Sequence, residues 1–250
     1  MRNILLILTI FMTNQVMAFD HQYSHWNLIL KKYLRVEAKQ TLFNYQELSK
    51  NPKILNDTLR EFSELKKEEF DQFTKPQRLA FLINSYNAFT IKLILNHYPV
   101  DSIKDIGSFF SSPWKKRFFT LFGKKTHLDQ IEHEYIRKNF DEPRIHFAVV
   151  CASLGCPPLA TQAYTDKNLD KLLEEQAILF ITDQNENRLT KKRLYLSKIF
   201  KWYGDDFKNK YQSYLHFVAK RIVQDKSIQQ RIISGDIPSS WNNYDWKLNN

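Results

Sequence analysis

Between Lys75 and Tyr98 the chain reads KPQRLAFLINSYNAFTIKLILNHY, and from Leu79 onward apolar residues fall on nearly every side of a helical period. Such a helix cannot lie on a surface, so the rest of the chain must wrap around it. Pro76 stands where a helix can begin and Pro99 stops it. Asn84 and Asn87 are three residues apart and share a face. A buried amide left without partners costs about 1–3 kcal/mol, so these two must be hydrogen-bonded. Either they tie the helix to a neighbouring strand or loop, or they line a polar site together with Tyr86.

The densest chemistry lies in Arg144–Leu159, RIHFAVVCASLGCPPL, which holds His146 and both cysteines of the chain, Cys151 and Cys156. Its first half is β-branched and aromatic and follows Pro143, which predicts a strand of about eight residues buried on both faces. Gly155 with Pro157 and Pro158 then forces a turn. On an extended strand His146 and Cys151 stand roughly 16 Å apart, whereas a nucleophile and its base need about 3 Å. Cys151, if nucleophilic, therefore takes its base from another element. His133 is the first candidate, with His146 as the other catalytic histidine of the set. The Ala152–Gly155 turn can present N–H groups to an oxyanion, while Ser153 lacks the flanking glycines of a nucleophile elbow. An alternative use of the same residues is a Cys151–Cys156 disulfide, since five residues with a glycine can bring two α-carbons within the roughly 4.4–6.8 Å required. The spacing is not that of a thioredoxin-type redox pair.

Residues 1–18, MRNILLILTIFMTNQVMA, carry one charge, a short apolar run and the small-residue pattern of a cleaved secretory signal, so the mature chain is expected to begin at Phe19 and to be soluble, periplasmic or secreted. The run is too short to span a membrane. Removing Arg2 takes the net charge from +10 to +9, which in an exported protein points to an anionic envelope component or peptide rather than to nucleic acid. Lys115, Lys116, Arg117, Lys124 and Lys125 alternate with Phe118, Phe119 and Phe122, a mixture read as a solvated loop with its aromatics turned inward. With 43% hydrophobic residues and only five glycines, residues 19–250 fit one globular domain, expected to be monomeric.

Trp26, Ile29, Leu30 and Tyr33 are spaced as an amphipathic helix, and further helices are predicted over 52–65, 66–73, 127–140, 168–181, 196–207 and 212–233. Arg188–Leu196 alternates as a strand. The HEYIR run (133–137) has Arg137 where a zinc-binding helix needs its second histidine, so no metal or other cofactor is implied. The fold class is α+β: a mostly helical domain around a small mixed or antiparallel sheet, with a buried central helix. The tail, with Trp241, Tyr244 and Trp246, is too aromatic to remain in solvent.

Four segments together, FLINSYNAF (81–89), RIHFAVVCASLGCPPL (144–159), LSKIFKWYGDDF (196–207) and YDWKLN (244–249), resemble the bacterial and plant family known as domain of unknown function 547. The likeness runs from about Phe43 to the C-terminus. It implies a single mixed helical and sheet domain with Asn84, Tyr86, Asn87, Arg144, His146, Cys151 and Cys156 as its motif positions, and it implies no activity. The layout is also similar to papain-like and transglutaminase-like enzymes, although those carry a cysteine at the start of the inner helix and this chain does not. The expectation is thus an exported binding or structural module built on a His/Asn/Cys cluster, with a cysteine-dependent hydrolase or acyl transferase as the alternative.

Overall fold

The computed structural model describes residues 18–108 and 111–250, so the expected leader lies outside the described residues except for Ala18. The inner helix is present at Lys75–Leu95 and is buried from Leu79 to Phe89 without interruption. Its start follows from local chemistry: Thr74 and Gln77 exchange side chain-to-backbone hydrogen bonds and Pro76 occupies the first turn.

In chain order the elements are α1 (Ser24–Tyr33), the hairpin β1 (Leu34–Glu37) and β2 (Gln40–Phe43), α2 (Tyr45–Lys50), α3 (Lys53–Glu64), α4 (Lys67–Gln72) and the inner helix α5. A second hairpin follows, β3 (Phe119–Leu121) and β4 (Lys124–Thr126), then a π-helix at Gln130–Arg137 and a 3₁₀ turn at Pro143–Phe147. The last third holds α6 (Leu169–Ile181), β5 (Arg188–Leu189), β6 (Leu194–Leu196), α7 (Ile199–Tyr203), a 3₁₀ turn (Gly204–Phe207), α8 (Lys208–Tyr211), α9 (Tyr214–Ile222), α10 (Lys226–Ile233) and β7 (Ser239–Trp241). Strands β5 and β6 are antiparallel and β7 joins β6 in parallel, which makes the small mixed sheet that the fold class anticipates. No helix among the described residues is long and apolar enough to cross a membrane.

Two apolar cores meet along one seam. The larger surrounds α5 and takes in Trp26, Ile29, Leu30 and Tyr33 of α1, the four positions its periodicity marks. The smaller surrounds Phe180, Phe200, Phe207 and Phe217. Phe147 belongs to the smaller core, with its ring parallel to Phe217, while its neighbours Ile145 and Ala148 belong to the larger. The segment therefore stitches the cores together. The basic segment expected as a loop forms the β3–β4 hairpin, in which Phe119 stacks on Phe89 at 3.8 Å and Phe122 packs on Phe70 and Phe81, so its aromatics do turn inward while Lys115, Arg117, Lys124 and Lys125 stay in solvent.

Three expectations need correction. The strand over 144–150 does not form: Pro143 opens a 3₁₀ turn whose first donor, the Arg144 amide, is taken by the Glu142 side chain. With it the His-bearing strand of a papain-like layout is lost, as is the extended geometry that kept His146 from Cys151. The helix expected over 212–233 is two helices broken at Val223, and the one over 127–140 is wound as a π-helix.

Candidate active site

A cavity of about 290 Å³ opens at the seam, lined by Cys151 and Cys156, His146, Glu132 and Asp129, and a run of aromatic side chains that includes Tyr86, Tyr203 and Tyr244. Helix α5 positions the wall beneath it. Asn87 donates to the Ala148 carbonyl at 2.9 Å and accepts from the Val150 amide at 3.0 Å, and Asn84 makes the same paired bond with Tyr164. Asn87 thus holds the loop before Cys151 and Asn84 holds the segment at Tyr164, and neither lines the cavity. Tyr86 does line it, and burial together with the nearby Glu132 charge pushes its phenol well up.

Cys151 ends that held loop, and Ala152 after it sits at φ 60°, a left-handed angle uncommon for a residue with a β-carbon. The sulfur of Cys151 lies 3.0 Å from Ser153 Oγ and 3.1 Å from the Tyr244 hydroxyl. Burial alone would raise this thiol, but hydrogen bonds from Cys156, Ser153 and Tyr244 and from the Ser153 amide outweigh it and hold Cys151 below its ordinary value. Cys156 goes the other way, raised well above its ordinary value by burial and then by its bond to Cys151. The two thiols are free: Cys156 Sγ accepts the Cys151 amide at 2.9 Å, and Cys151 Sγ also lies against Ser153 and Tyr244.

The C-terminal tail fixes this turn from outside. Leu154 and Gly155 donate to the Lys247 and Asp245 carbonyls at 2.8 and 2.9 Å, and Asn249 donates to Ala152. Those two amides are thus unavailable to an oxyanion, which leaves the Ser153 amide facing the sulfur. Gly155 is required for contact, not for a left-handed angle: a β-carbon there would stand 2.8 Å from the Asp245 nitrogen.

His146 is almost wholly buried and stacks on Tyr203 at 3.9 Å. Its Nε2 is 2.8 Å from Asp206 Oδ2. Because a carboxylate only accepts, Nε2 donates to it, and Nδ1 makes no hydrogen bond to protein among the described residues. Arg137 grips the same carboxylate with two bonds of 2.7 Å. Burial opposes ionisation of Asp206, yet the His146 and Arg137 bonds hold it far below the usual carboxylate range. His133, the first candidate for a base, instead contacts Arg137 at 3.0 Å and is not part of the cavity wall. Arg144 is also elsewhere: it is buried in a network with Glu142, Asp170 and Glu174 that joins the 3₁₀ turn to α6. Asp206, Tyr203 and Tyr244 were not among the sequence candidates, and the WYGDDF and YDW segments that hold them were the only signal.

The fold and site define a mostly helical α+β domain with a thiol-bearing cavity between two cores. Residues 70–181 match the family model described as "Protein of unknown function, DUF547", so the chain carries a domain of that family. The match is narrower than the likeness drawn from sequence segments: it takes in Tyr86, Glu132, His146 and both cysteines but ends before Tyr203, Asp206 and Tyr244. No curated protein and no solved structure matches the chain.

Proposed function

We propose that the mature chain is an exported thiol-dependent acyl transferase or hydrolase in which Cys151 is the nucleophile, His146 the base and Asp206 the group that fixes its tautomer. One observation carries this reading: a single cavity is lined both by a thiol held below its ordinary pKa and by a histidine whose Nε2 is engaged and whose Nδ1 has no partner among the described residues. In the proposed reaction the sulfur bonds to a carbonyl carbon as His146 takes the thiol proton. That proton is then given to the departing amine or alcohol, and water or a second nucleophile releases the acyl group.

The test is p-nitrophenyl acetate as a generic acyl donor. A burst of nitrophenol with acetyl on the Cys151 peptide is expected, lost in Cys151→Ala and slowed in His146→Ala. An unchanged rate in Cys151→Ala would overturn the proposal.

A second reading keeps the domain non-catalytic. It is favoured by the placement of both thiols in one loop clamped by the tail, where oxidation to a disulfide would consume the nucleophile and lock the turn.

A further inference from the structure

Glu132 is 5% exposed and makes no ion pair among the described residues; the Tyr203 phenol is its hydrogen-bonding neighbour, and its side chain forms part of the cavity wall. A buried carboxylate in that position has a neutral neighbour but no cationic partner to balance its charge. Asp129, one turn earlier and half-buried, lines the same cavity and is likewise without an ion pair among the described residues. Arg137, whose guanidinium feels the Glu132 charge, is committed to Asp206. The cavity's unpaired charges are therefore both negative, in a chain whose net charge is +10. Bulk charge does not explain the pair.

Facing these carboxylates is a continuous aromatic wall. Trp114 contacts Trp246 with ring centroids 5.9 Å apart, Trp246 contacts Tyr244 at 4.5 Å, and Trp202 contacts Tyr244 at 4.9 Å. An aromatic face attracts a cation through its ring quadrupole, and a nearby carboxylate adds a full charge. The Lys104 ammonium already lies 5.1 Å from the Trp246 ring centroid, which places a cation on one member of this wall.

We infer that the cavity is a binding site for an organic ammonium ion, whose head group sits against Trp202, Tyr244 and Trp246 with Glu132 as its counter-charge. The site stands on this geometry whether or not Cys151 is a nucleophile.

The experiment titrates the full mature chain with choline and with 3,3-dimethylbutan-1-ol, the neutral molecule of the same shape, at matched ionic strength, following tryptophan fluorescence. Saturable choline binding at least about tenfold tighter than the alcohol is expected. Glu132→Gln should weaken choline about tenfold and leave the alcohol unchanged. Trp202→Leu should weaken choline as well, and because Trp202 is 45% exposed the fold tolerates its loss. Iodoacetamide labelling of Cys151 is followed on the same native sample, so loss of thiol reactivity and loss of binding are read separately. Equal affinity for the two molecules, no saturable choline binding, or a Glu132→Gln variant that binds choline unchanged would overturn the inference. The comparison of choline with the alcohol on the native chain needs no variant to fold.

Discussion

The hydroxyl of Tyr244 reaches back across the chain to lie 3.1 Å from the sulfur of Cys151. The tail thus does more than close the structure, because it supplies one of the donors that stabilise the thiolate. Tyr244→Phe removes that donor and keeps the ring. The Cys151 pKa should then rise, since one bond to the charged form is lost. The pH dependence of iodoacetamide reaction checks this, and an unchanged midpoint would remove Tyr244 from the account.

Asn87 bridges the Ala148 carbonyl and the Val150 amide from inside α5. Replacing it with Leu strands both backbone groups in a dry core. Asn87→Leu should lose about 2–4 kcal/mol in urea unfolding despite its added apolar volume. A neutral result would mean that the loop before Cys151 is held by other contacts.

The inner helix and α1 were legible in the sequence because continuous or periodic burial leaves a mark at every turn. The segment from Arg144 to Val150 was not. Its β-branched and aromatic residues are buried on all sides as predicted, but β propensity reports fit to a packed environment and not a backbone angle, and a 3₁₀ turn spanning two cores buries the same residues. The strand carries with it the roughly 16 Å separation that points to His133 as the base, and the 3₁₀ turn removes that separation's premise. Asp206 escaped notice for a different reason: its meaning comes from His146 and Arg137, which local spacing does not connect to it. Glu132 lies on a π-helix, whose winding a helical period of 3.6 does not describe.

Glu186 tests the electrostatics away from the cavity. Burial, then the charges of Asp183 and Asp245, raise its carboxyl to about 7. The unfolded carboxyl loses its proton near its ordinary value of 4.5, so between 4.5 and about 7 the folded chain binds more protons and stability falls as pH rises. Above that range the penalty is complete. Glu186→Gln should match the native chain at about pH 4 and exceed it at about pH 8 by about 1–2 kcal/mol, a figure reduced for partial exposure. Urea unfolding at the two pH values measures it, and equal stability at the higher value would contradict the assignment.

Cys151 and Cys156, five residues apart on one cavity wall, are held in opposite directions, the first thiol below its ordinary value by its hydrogen bonds and the second above it by burial. Alkylation of the native chain with iodoacetamide across pH, prepared from its own compartment without reductant and followed by peptide mass mapping, tests it directly. The account predicts that Cys151 alone is modified, with a midpoint below that of an ordinary thiol measured alongside, and that Cys156 reacts only after unfolding. No modification of either residue until a reductant is added, with an intact mass matching the disulfide form, would contradict it.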